Sequence, residues 1–482
     1  ITSGTITVQA ITITGTARNL ITAFESQGNG IAGLGNEEVT VSSGSASVSQ
    51  VNTLTDATTG IVTATVAEGD ISTLAGISES GNKLTITVTD TSVAADALNT
   101  LDNKTTIGAS VTSSTITGTL SDITTAYASS GISGLGNEAL TVSDTLTVSQ
   151  ANALGDFTTG AVTATISDGE MTTLAVLSET GHAHTITVTD TSVEAATLNT
   201  LDGKTSVAID GSAITIITGK GADALTAFNS EGLTGLTFDA TSYLASHSDL
   251  LNAFGTDTAA ATSHYFTFGV PEGRRFDFFD ESNYLASHSD LLLAFGTNTT
   301  SALNHYVSHG FKEGRSKDSF DETSYLASHS DLILAFGTNT TAALSHYINF
   351  GFSESRSTDS FNELSYIASH ADLIQAFGAN GGEQATTHYV EYGYNEGRIK
   401  DNFDELGYIA SNSDLITAFG SDTTAATKHY ISFGYNEGRR FTFDAASYLA
   451  ANADLKAAFG SNEELAKLHY INNGYNEGRS LS

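Results

Sequence analysis

Along the first half of the chain, apolar and hydroxyl side chains alternate in short runs. Leu84-Thr85-Ile86-Thr87-Val88-Thr89 has the period of two that marks a half-buried strand. The stretch that follows, Thr91 to Leu101, moves its apolar groups to helical spacing at Val93, Ala97, Leu98 and Leu101, with Asp90 or Thr91 placed to cap it. The same strand-then-helix order fits Ile61–Val66 with Ile71–Ile77, and Leu140–Ser143 with Val148–Leu154. It fits again at Ala161–Ile166 with Glu170–Leu177, and at His184–Thr189 with Val193–Leu201. Strand starts recur every 22 to 25 residues, too short for separate Rossmann domains but suited to the coils of a solenoid.

Beyond Leu236–Asp239 the threonine-rich strands give way to phenylalanine and tyrosine, and the period changes. Phe320-Asp321-Glu322 opens a segment in which Asp321 caps a helix over Glu322–His329. Asp331–Phe336 reads as a second short helix stopped by Gly337. Thr340–Phe350 reads as a third, stopped by Gly351. The opening tyrosine occurs at Tyr243, Tyr284, Tyr325, Tyr366, Tyr408 and Tyr448, a spacing of 40 to 42 residues. Such a period marks a stacked array whose members complete one another's cores.

The first half also repeats at a longer interval. Gly33-Leu34-Gly35-Asn36-Glu37 returns as Gly134-Leu135-Gly136-Asn137-Glu138, and Val88–Val93 returns as Val188–Val193, an offset of 100 to 101 residues. The prediction is therefore a repeat protein. Residues 1–236 form an N-terminal α/β solenoid of parallel strands and short helices, and residues 237–482 a C-terminal all-α solenoid of six ~41-residue repeats. Tandem immunoglobulin-like β-sandwiches are the alternative for the N-terminal half, because the longer offset matches their size.

Composition narrows the function. The 482 residues carry a formal net charge of −35, which would repel a phosphate backbone and argues against nucleic acid. That surface suits high salt or divalent cations. There is no cysteine, so neither disulfides nor thiol chemistry enter, and no apolar run approaches the ~18 residues of a membrane span. The start, Ile1-Thr2-Ser3-Gly4, is expected of a processed product or of a piece of something longer. The lack of cysteine, with abundant threonine, serine, glycine and asparagine, fits a bacterial surface protein.

Candidate chemistry sits in the registers. Histidine precedes tyrosine at His264, His305, His346, His388, His429 and His469, and a second register holds His247, His288, His329 and His370. A histidine ladder can bind zinc or sense pH. Without cysteine, or glutamate at helical metal spacing, a packed and hydrogen-bonded role is expected instead. Arg274, Arg315, Arg356, Arg398, Arg439 and Arg479 share one register, each two residues after a glutamate. Their expected partners are Asp249, Asp290, Asp331, Asp372, Asp414 and Asp454, in pairs that would fix one repeat to the next. Asp90, Asp144, Asp168 and Asp190, at strand-to-helix turns, are calcium candidates for which capping is an equal explanation. No cofactor other than calcium is implied. A catalytic constellation would be singular, and every arrangement here recurs, so no enzyme is expected.

Both repeats carry a resemblance. Ile116-Thr117-Gly118-Thr119, Gly131–Asp144 and Leu198–Thr205 resemble the repeats of giant cell-surface proteins of marine unicellular cyanobacteria, some of them linked to swimming. His429–Arg439 (HYISFGYNEGR) is similar to a short repeat of bacterial extracellular proteins, often found beside calcium-binding β-rolls. The chain departs from those relatives in having His-Ser-Asp where Asn-Pro-Asp is common, and Ser355 where Glu-Gly-Arg has glycine. The resemblance implies an extracellular or cell-surface location and a structural role. The expectation is a non-enzymatic subunit of a surface layer, sheath or filament that partners itself, with strand Gly4–Gln9 available to pair with another subunit. The alternative is an adhesin whose C-terminal array binds cell-surface glycan or protein.

Overall fold

A computed structural model describes residues 4–482; residues 1–3, where the sequence reading placed the processed start, lie outside it. Every pairing between strands of the N-terminal half is parallel. A β-sandwich of the immunoglobulin kind is antiparallel, so the α/β solenoid is the fold of this half. Its largest sheet stacks Thr12–Gly15, Glu38–Val41, Val62–Thr65, Lys83–Val88, Ala109–Val111 and Ile132–Ser133 in chain order. A second sheet stacks Ser92–Ala94, Thr115–Gly118, Ala139–Leu146, Val162–Ile166 and Ala183–Thr185 in chain order.

Alternation explains the stacking. In Lys83–Val88, Leu84, Ile86 and Val88 are buried and the residues between them exposed. Strands of this kind pack on short helices, Val62–Thr65 on Val48–Ala57 and Thr115–Gly118 on Ala95–Asp102. Each coil buries its apolar face only against its neighbours, so the core is continuous along the stack.

From Ala240 onward there are only helices. The third repeat serves as the type: helices Glu322–Ser328, Ser330–Phe336 and Thr340–His346, then a π-helical turn over Tyr347–Gly351. Asp321 caps the first helix by accepting from the amides of Thr323 and Ser324. The third helix widens into π geometry over Tyr347–Gly351, with the Phe352 amide donating to the Tyr347 carbonyl, and ends at Gly351, where the sequence placed its stop. Gly351 is needed for closeness, because a Cβ there would collide with the Tyr325 hydroxyl.

Secondary structure changes character near residue 239, but compactness divides the chain into Ile1–Phe278 and Phe279–Ser482. The first helical repeat belongs to the first unit because it closes the end of the parallel stack. Arg275 bridges Ile216 in antiparallel fashion, and the Phe276 amide donates to the Thr215 carbonyl at 3.3 Å. Phe228, from helix Gly221–Phe228, packs edge-on against Tyr265, Phe266 and Phe276. Within the second unit, the first helix of each repeat packs on the third helix of the next. Examples are Glu322–Ser328 on Gly382–His388 and Glu405–Ala410 on Glu463–His469.

Candidate functional site

The registers singled out in the sequence converge inside each helical repeat. The opening tyrosine is fully buried in all six. Burial pushes its hydroxyl up to about 12 at Tyr243, Tyr284, Tyr325, Tyr366 and Tyr408, so it stays protonated. Its partner is Nδ1 of the recurring histidine, at 3.1 Å for Tyr243–His264, 3.0 Å for Tyr284–His305, Tyr325–His346 and Tyr366–His388, and 2.9 Å for Tyr408–His429 and Tyr448–His469. Burial, reinforced by the nearby arginine, pushes His305, His346 and His388 below the ordinary imidazole value. These half-buried rings serve as hydrogen-bond partners of the core tyrosines.

The second register does a different job. Nε2 of His247, His288, His329 and His370 bonds the backbone carbonyl of Arg275, Ser316, Ser357 and Ile399 respectively, at 2.8 to 2.9 Å. Asn452, which stands in this register in the last repeat, makes the same link to Ser480. The ring thus ties the second helix's start to the chain leaving the repeat.

Each recurring arginine bridges two carboxylates. Its pairs with Asp249, Asp290, Asp331, Asp372, Asp414 and Asp454 measure 2.6 to 2.8 Å. Its Nε meets the preceding glutamate at 2.6 to 2.7 Å. Arg315 is bidentate on Asp290, whose carboxyl this hydrogen bond holds below the usual range. The sequence reading had these pairs joining one repeat to the next, and the geometry corrects that. Asp290 and Arg315 lie within one repeat, so the pair closes the repeat on itself. Each pair is surface-facing, with the Asp290 side chain 59% exposed, so solvent screening leaves it only a small contribution to stability.

The acidic turns of the parallel stack cross between coils. Asp90 accepts from the amide of Ile71, Asp144 from Leu120, Asp168 from Val148 and Asp190 from Met171, at 2.6 to 2.8 Å. Each amide opens the helix of the preceding coil, so the carboxylate caps its neighbour's helix rather than its own. Asp90 is therefore not the cap of Ala95–Asp102, whose N-cap Ala94 has no side-chain bond. Among the described residues, no group of three His, Asp or Glu side chains is arranged to hold a metal ion.

Three features were missed in the sequence. Glu37 and Glu138, both buried, fold back onto the amides of Gly35 and Asn36, and of Gly136 and Asn137, filling with their own carboxylates the anion nest of each Gly-Leu-Gly-Asn loop. Asn52, Asn99, Asn152 and Asn199 each donate to a carbonyl of the next coil at 2.8 to 2.9 Å, a ladder visible only as recurrence at one offset. Four residues after the recurring histidine stands an exposed ring at Phe268, Phe350, Tyr392 and Phe433. The histidine itself lies beside it at 5.6 to 5.8 Å.

His182 and His184 break the internal symmetry of the stack, standing where the first ~100-residue repeat has Asn82 and Leu84. His182 Nδ1 accepts from the Val162 amide as Asn82 Oδ1 does from Val62. His184 is buried in the strand core, and burial, with His182 beside it at 5.2 Å, pushes it down to about 4.

Compared with known proteins, the chain matches no protein-family profile, no curated sequence and no solved structure. No helix of the described residues is long and apolar enough to cross a membrane.

Proposed function

We propose that the protein is a non-enzymatic structural component of the cell exterior, a subunit of a surface layer, sheath or filament built from copies of itself. One observation carries this reading: the histidines, arginines and aspartates of the helical registers recur repeat after repeat, engaged in the same internal contacts. The Tyr–His bond and the Arg–Asp–Glu bridge each occur six times, and a reaction centre needs a single distinct constellation. The resemblance to cell-surface repeats supports the extracellular location.

Edges supply a means of assembly. Ile6–Thr7 pairs on one side with Ile31–Ala32, and Thr12–Gly15 is the last strand of its sheet. Ile6 and Ile11 are 62% and 86% exposed at this end. Apolar residues on an unpaired edge favour pairing with another chain. Electron microscopy at the ionic strength of seawater tests the reading. Ordered polymers are expected of the full chain, and none once residues 1–10 are removed. Polymers unchanged by the truncation overturn the edge as the contact.

The exposed ring register favours a second reading, an adhesin that stacks sugar rings on Phe350, Tyr392 and Phe433. Exposed aromatic groups recurring at one position are unusual on a surface without a ligand. Binding to a glycan array by the full chain, lost on replacing these three with alanine, would favour it.

A further inference from the structure

One position of the helical repeat carries residues of different chemistry. Two residues after the bridging arginine stand Phe276, Lys317, Thr358, Lys400, Phe441 and Leu481. The place matters because in the second, fourth and fifth repeats it lies against a pair of facing rings. In the second repeat the pair is Phe279–Tyr306, with centroids 4.8 Å apart, and Lys317 Nζ sits 5.9 and 5.4 Å from the two rings. In the fourth repeat it is Phe361–Tyr389, 5.0 Å apart, with Lys400 Nζ at 6.0 and 5.1 Å. Lys400 Nζ also donates to the carbonyls of Ala327 and Ser328, at 2.6 and 3.4 Å, at the end of the preceding repeat's first helix. In the fifth repeat Phe441 packs edge-on against Phe403 and Tyr430 instead.

The third repeat has the same floor without the cover. Phe320 and Tyr347 stack at 4.6 Å, and the residue above them is the short Thr358. A cavity of about 350 Å³ opens there, lined by Phe320, Tyr347 and Thr358 and by Ala286 and Ser287. Ala286 and Ser287 are the counterparts of Ala327 and Ser328, whose carbonyls receive the lysine ammonium one repeat later. Asp321 and Asp359 complete the rim and make it anionic, with no lysine or arginine among the lining residues.

We propose that this cavity binds a primary alkylammonium group. The chain itself shows the mode of binding twice, with an ammonium over a Phe–Tyr pair at Lys317 and Lys400, and the carbonyl contacts at Lys400. A cation over aromatic faces is attracted by the ring quadrupole, and more so where water is partly excluded. The ammonium's three donors match the paired carbonyls, and the acidic rim opposes anions. The group can come from a small free amine or from a lysine side chain of another copy of this chain. Both present the same chemistry to the pocket.

The test uses the full chain and n-butylammonium, a lysine side chain without its backbone, at a salt concentration that screens the general negative charge. Saturation-transfer NMR should report binding of n-butylammonium and none of its neutral analogue n-butanol. Thr358→Lys should reduce the signal at least fivefold, because it fills the cavity as its neighbours do and leaves the fold intact by circular dichroism. Lys400→Thr should add a second, equivalent site. Sedimentation separates the two sources: self-association reversed by n-butylammonium and absent from Thr358→Lys points to a lysine of another copy, whereas binding with no such effect points to a free amine. Equal binding of the alcohol, or an undiminished signal in Thr358→Lys, overturns the proposal.

Discussion

At Ser355 a single side chain departs from the pattern of its repeat. The glycine of Glu-Gly-Arg adopts left-handed backbone in the other helical repeats, with φ of 67° at Gly273 and 70° at Gly314, and Ser355 is held at 55° in the same place. A Cβ in that region costs about 1–2 kcal/mol, and glycine's extra freedom when unfolded returns part of it. Ser355→Gly should therefore stabilise the protein by about 1 kcal/mol, measured as a rise in the urea midpoint. His184 is the other singular residue. Unfolded, it takes a proton near its ordinary value of 6.5; folded, only near 4. Between those values the unfolded chain binds more protons, so this contribution to stability is complete above pH 6.5 and falls as the pH drops toward 4. His184→Leu, which copies Leu84, should flatten the unfolding midpoint across that window; an unchanged slope would show that His184 does not drive it. The position of Ser355 was legible in the sequence as a departure from Glu-Gly-Arg, but its left-handed backbone was not. The face of His184 is set by its alternation with Ile186 and Val188, but the approach of the His182 ring depends on side-chain packing that the alternation does not encode.

Among the elements, strand and helix order followed from the period of the apolar residues, and coil contacts did not. Asp90 looks like a cap for the helix after it, yet its carboxylate reaches back to the amide of Ile71. Local propensity rules see only neighbours in sequence, and stacking places another coil's helix start closer. The π-helical turn was hidden for a related reason. The widened turn at Tyr347–Gly351 seats Gly351 beneath the Tyr325 hydroxyl, a contact across the repeat rather than along the helix. If the acidic turns are caps between coils, removing one carboxylate should weaken the stack without involving any metal. Asp168→Ala should cost about 1 kcal/mol, read by urea unfolding, and the melting temperature of the unaltered protein should be the same with EGTA as without it. A drop on adding EGTA would assign those turns to calcium.

For the whole molecule, the two periods in the sequence correctly gave a parallel strand–helix stack and an array of helical repeats. The composition change near residue 239 marks where helices replace strands, but the first compact unit runs on to Phe278. Aromatic residues of the first helical repeat close the parallel stack, and that junction needs three-dimensional contacts between Phe228, Tyr265 and Phe276 that no repeat pattern announces. A net charge of −35 opposes association at low ionic strength, and salt should relieve it. Sedimentation velocity of the full chain, over a range of concentrations at seawater salt, tests the building-block account most directly. The account predicts species that grow with concentration far beyond the 50.0 kDa chain, and more readily as salt is raised. A single 50.0 kDa species at every concentration and salt would contradict it.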